Sequence, residues 1–94
     1  MVPNQIIQEM FVRRAIPFMG EPFEICIESD DEQWAFNLVE SAIAEVRRIE
    51  RMRYSRLDKK YAAERVQLIL QQNEVTCGAV KVPGICITWA YNQM

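Results

Sequence analysis

FVRRAIPFMGEPFEICIES, residues 11–29, decides the fold. Residues 11–18 mix aromatic and β-branched side chains and run into Met19-Gly20-Glu21-Pro22, where Gly and Pro mark a turn. Beyond it Phe23, Ile25 and Ile27 alternate with Glu24, Cys26 and Glu28, the period of two that gives a strand one buried face. The stretch therefore predicts an antiparallel hairpin of 11–18 with 23–28.

Ser29-Asp30-Asp31-Glu32 then offers a cap followed by acidic residues, which favour the positive end of a helix dipole. Leu38, Ala42, Val46, Ile49 and Met52 recur at three or four, Trp34, Val39 and Ile43 widen the stripe, and Asn37, Glu40, Glu45 and Arg48 fall outside it. A helix over 31–54 is expected. Residues 60–72, KYAAERVQLILQQ, predict a second helix that buries Ala62, Val66, Ile69 and Leu70. Val75–Val82, the Pro83-Gly84 turn and Ile85–Tyr91 read as another hairpin, with Ile85, Ile87, Trp89 and Tyr91 on one face and Cys86, Thr88 and Ala90 on the other. The order ββααββ implies an α+β layer, one antiparallel sheet packed on its helices.

The 94 residues suffice for one domain, and half of them are apolar against a quarter charged, the composition of a packed globular chain. A core this small leaves little spare stability, which makes an oligomer plausible. A net charge of −2 excludes a uniformly basic nucleic-acid binder. With no histidine, His-based triads and His-ligated zinc are unavailable. Cys26, Cys77 and Cys86 show no C-x-x-C spacing and lie in apolar runs, so they read as buried thiols. No signal-peptide core or long apolar run occurs, which makes the cytoplasm the expected compartment.

Charge is uneven along the chain: residues 1–45 hold nine acids and two bases, whereas 47–65 hold eight bases and three acids. A basic helix face can meet phosphate or an acidic partner. It can equally be a solvated face on which Glu45 and Glu50 pair with neighbouring bases. Asp30-Asp31 and Glu24 with Glu28 are paired carboxylates, but a hard cation needs converging oxygens from several segments and a helix cap accounts for Asp30-Asp31. Phe11, Phe18, Phe23, Trp34 and Phe36 make the first third aromatic-rich; such residues can stack a flat ring, and packing in the core is the simpler reading.

Phe18-Met19-Gly20-Glu21, the strand Phe23–Glu28, Asp30-Asp31, Ala42–Glu45, Arg48-Ile49-Glu50 and Tyr54-Ser55-Arg56 follow one another in an order that resembles the N-terminal part of the FAD:protein FMN transferases. The likeness spans residues 11–56 and ends near residue 57, where Leu57 replaces the family's aromatic residue and the family's D-S-x-x-S-x-x-N continuation is not found. It implies an α+β enzyme that cleaves FAD and, with Mg²⁺, passes FMN to a Thr or Ser of an acceptor protein. It also implies that Met19 and Gly20 are cofactor-binding. The family's metal-binding Asp and Thr have no counterpart, so the expectation is a truncated or divergent member, inactive as this isolated chain, without catalytic or metal residues of its own. The alternative, from another class, is a small binding or assembly module that uses the basic 47–65 face. A third reading is an orphan domain that dimerises through the edge of its second hairpin.

Overall fold

The computed structural model describes residues 10–52 and 58–90. Its elements are β1 (Met10–Phe18), β2 (Glu21–Ser29), α1 (Glu32–Met52), α2 (Asp58–Gln72), β3 (Cys77–Val82) and β4 (Ile85–Ala90). The strands form one antiparallel sheet of order β1-β2-β3-β4. Both helices intervene between the two central strands and cover one face of the sheet, the expected α+β arrangement.

Register fixes what each face carries. Val12 lies opposite Ile27, Ile16 opposite Phe23, Ile25 opposite Val80, and Val80 opposite Ile87, so the apolar sets of all four strands fall on the helix side. Ile16, Phe18, Phe23, Ile25, Ile27, Val80 and Val82 are buried there against Val39, Ala42, Val46, Ile49, Val66 and Leu70. Burying one such large apolar side chain is worth about 1.5–3 kcal/mol. Phe18 and Phe23 meet edge to face, with ring centroids 5.5 Å apart. Pro17 faces Pro22 at the end of the first hairpin, beyond the residues of β2 that pair with β3, so Pro22 interrupts no ladder on that side.

Asp31 begins α1. Its Oδ1 accepts from the Trp34 amide at 3.0 Å, and its own amide donates to Ser29 Oγ at 3.0 Å. Over the described residues the helix occupies Glu32–Met52; Arg53 and Tyr54 of the expected 31–54, with Ser55, Arg56 and Leu57, lie outside the described residues. α2 starts at Asp58, two residues earlier than its periodicity indicates, and it ends in a Schellman motif. The Val75 amide donates to Leu70 O and the Glu74 amide to Gln71 O, both at 3.0 Å, while Glu74 holds a φ of 68°. β3 is shorter than Val75–Val82: Val75 is taken up in that cap, packed beside Leu70, and the strand begins at Cys77.

Several side chains lie elsewhere than expected. Met52 and Trp34 are exposed, because both point off the buried stripe of α1, which includes Ala35. On α2 Ala63 is buried and Ile69 only half so, since small residues bring that helix close to α1 and β3. Phe11 and Phe36 are exposed as well, because Phe11 has the parity of the uncovered sheet face and Phe36 points off the buried stripe of α1. Core packing therefore accounts for Phe18 and Phe23 and not for Phe11, Trp34 and Phe36. Among the described residues no helix is long and apolar enough to cross a membrane.

Candidate functional site

Met19 and Gly20 form a two-residue turn in which both φ angles are positive, 54° and 81°. That is the signature of a type I′ hairpin turn, whose twist suits the flanking strands. Gly20 adopts it freely. Met19 does not: the left-handed region costs a residue with a Cβ about 1 kcal/mol, and Asn or Gly is the usual occupant. The strain is held by Glu50 near the end of α1, whose Oε2 accepts from the Met19 amide at 2.9 Å. Glu50 was expected to pair with a neighbouring base; the fold gives it this backbone donor. The Met19 side chain stays 45% exposed, and the space beside Gly20 is open.

The second hairpin turn lies at the same end. Lys59, in the first turn of α2, donates to Glu21 Oε1 at 2.9 Å and to the Pro83 carbonyl at 3.2 Å, tying the two turns together. The elements that converge here are thus the Met19-Gly20 turn, the Pro83-Gly84 turn and facing ends of the two helices. Glu50 and Lys59 escaped sequence reasoning because their partners are 31 and 38 residues away, and no local pattern links them.

Three of the bases in the 47–65 run, Arg48, Lys59 and Arg65, are engaged by carboxylates. Arg48 grips Glu45 through two nitrogens, at 3.0 and 2.7 Å, and Arg65 Nε of α2 lies 3.5 Å from the same carboxylate. The hydrogen bond from Arg48 is the main reason the Glu45 carboxyl is held below the usual range; its burial opposes the effect and Arg65 adds to it. Arg47, Arg51 and Lys60 remain exposed.

The other face of the sheet has no helix over it. Phe11, Arg13 and Ala15 of β1, Glu24, Cys26 and Glu28 of β2, Cys77, Ala79 and Lys81 of β3, and Cys86, Thr88 and Ala90 of β4 share it by register. All three cysteines are therefore on the uncovered face and not in the core: Cys26 and Cys77 are half-buried, and Cys86 is exposed. Burial, more than any neighbouring charge, pushes the Cys26 thiol up, opposite to what a nucleophile needs. Phe11, Cys26, Glu28, Cys77, Thr88 and Ala90 line a shallow, mainly apolar groove of about 410 Å³ on this face. Arg13 pairs with Glu24 across β1 and β2.

Among the described residues no three Cys, Asp or Glu side chains converge as metal ligands. The donor set of these residues does not fit the Mg²⁺ that the resemblance implies. No family model, curated protein or solved structure matches the chain.

Proposed function

We propose that this chain contributes a flavin contact, in the manner of the leading hairpin and helix of an FAD:protein FMN transferase, with Met19-Gly20 as the contact and FAD as the ligand. What supports the reading is the Met19 turn. Met19, with its long thioether side chain, occupies a backbone conformation that disfavours it, has its amide held from α1 by Glu50 and is 45% exposed at the end of the sheet. Methionine is polarizable and makes favourable contacts with flat aromatic rings, worth roughly 0.3–1.5 kcal/mol. The role assigned is binding: transfer to an acceptor protein would need reacting groups beyond those described here.

Met19→Asn separates this role from a structural one. Asn tolerates the left-handed conformation, so the variant should melt at or above the wild-type temperature while its affinity for FAD, read by flavin fluorescence, falls roughly two- to tenfold. The absence of saturable FAD binding by the wild type, or equal binding by the variant, would sink the proposal.

The alternative is a module that meets an acidic or phosphate-bearing partner through residues 47–65. Exposed Arg47, Arg51 and Lys60 favour it, whereas the engagement of Arg48 and Arg65 with Glu45 and of Lys59 with Glu21 counts against it. Binding to an anionic polymer that weakens steeply with salt, without any flavin affinity, would select this second reading.

A further inference from the structure

The two edges of the sheet differ in chemistry. β1 carries Arg13, Arg14 and Pro17, and Arg14 reaches Glu40 of α1. Charge and proline are the usual devices that stop an edge from recruiting another strand. β4 reads Ile-Cys-Ile-Thr-Trp-Ala over residues 85–90, with no charge and no proline. α2 lies chiefly over β3, so Ile85, Ile87 and Trp89 remain half-covered on the helix side. Among the described residues nothing pairs with the outer side of β4.

The two-residue Pro83-Gly84 turn makes Val82 and Ile85 the closing hydrogen-bonded pair. Alternation along the ladder then turns the backbone groups of Cys86, Thr88 and Ala90 outward. We propose that this edge pairs with β4 of a second copy of the chain, antiparallel, about a twofold axis at Ile87. In that register Cys86 exchanges backbone hydrogen bonds with Thr88 of the partner subunit. Ile87 meets its own equivalent, and Ile85 stands opposite Trp89 of the partner subunit.

A second copy is the occupant because the strip complements itself. Among the described residues its three apolar side chains oppose three apolar side chains in this register alone, and every copy offers the same edge, as a closed twofold interface requires. The flank of α2 opposite the Arg65 flank that meets α1 carries Lys60, Glu64, Gln67 and Gln71 at spacings of four, three and four, one base and one acid, so it brings no net charge of one sign to the axis. An edge of six residues offers a short contact, so association should be weak and visible as a monomer–dimer equilibrium at micromolar concentrations and above.

Sedimentation equilibrium under reducing conditions, over about 1–300 μM, the range in which small interfaces dissociate, tests this directly. The wild type should pass from monomer to dimer. Thr88→Pro deletes an outward amide that bonds nothing within the monomer, and it should remain monomeric throughout with its low-concentration melting temperature retained. If the proline variant loses its sheet, Thr88→Lys, which sets two charges beside the axis, decides by the same criterion. A wild type that stays monomeric to the highest concentration overturns the proposal. So does a dimer that survives Thr88→Pro but is lost in Ala79→Lys, which would move the interface to the uncovered face.

Discussion

Gly78→Ala should destabilise the protein strongly for so small a change. Gly78 lies opposite Trp89 on the helix side of the sheet, and the indole crosses directly over it. A Cβ at Gly78 would stand 2.7 Å from Trp89 Cζ2 and 2.9 Å from Cη2, with Cys26 O at 3.2 Å on the other side. The ring would have to retreat by about 1 Å to restore van der Waals contact. It is not free to do so, because Trp89 Nε1 donates to the Val75 carbonyl at 3.0 Å, and Val75 is fixed by the cap of α2. Overpacking costs about 1–3 kcal/mol and loss of the indole hydrogen bond about 1 kcal/mol more. Removing a strand glycine returns about 0.5–1 kcal/mol. The net is a loss of about 1–3.5 kcal/mol, or a fall of roughly 4–28 °C in melting temperature for a chain of this size. Thermal and urea unfolding by circular dichroism measure it, with a red shift of Trp89 emission reporting the displaced ring. In the Trp89→Leu background the same substitution should cost much less, since the obstructing atoms are gone. A Gly78→Ala variant as stable as the wild type, or an equal cost in both backgrounds, would refute the account.

Glu74→Gly should raise stability by about 1 kcal/mol, because Glu74 holds a φ of 68° at the position where a Schellman motif prefers glycine; a lower urea midpoint would contradict this. Asp31→Ala should cost about 1 kcal/mol through the lost cap, while Asp30→Ala should be nearly neutral; equal effects in urea unfolding would show that the cap is misassigned. Glu45, held below its usual range by Arg48, stabilises the fold above the unfolded value near pH 4.3, and that contribution is lost as pH falls through the lower folded value. The melting-temperature gap between wild type and Glu45→Gln should therefore be full at pH 6 and close on acidification; a gap that widens below pH 4 would reverse the assignment.

The hairpin at 11–29 was legible because a period of two needs only local sequence, and so was the long helix, whose cap, acidic first turn and apolar stripe all agree. The second hairpin and its turn followed from Pro83-Gly84 and the alternation after it. The Met19-Gly20 turn was visible as a turn, but its positive φ at Met19 was not, since methionine carries no local preference for that conformation. Period also separates the two faces of each strand without saying which face will be covered. Cys26 and Cys86 alternate with the apolar residues of their strands and were nonetheless read, with Cys77, as buried thiols; only the placement of both helices on one side left all three on the open face. Tertiary structure alone brought Glu50 to the Met19 amide, Lys59 to Glu21 and Pro83, and Arg65 to Glu45. It alone set β1 and β4 as edges. Local propensity acts over a few residues, whereas these pairings depend on how a 21-residue helix returns the chain to the sheet, and that is fixed by packing across the whole core.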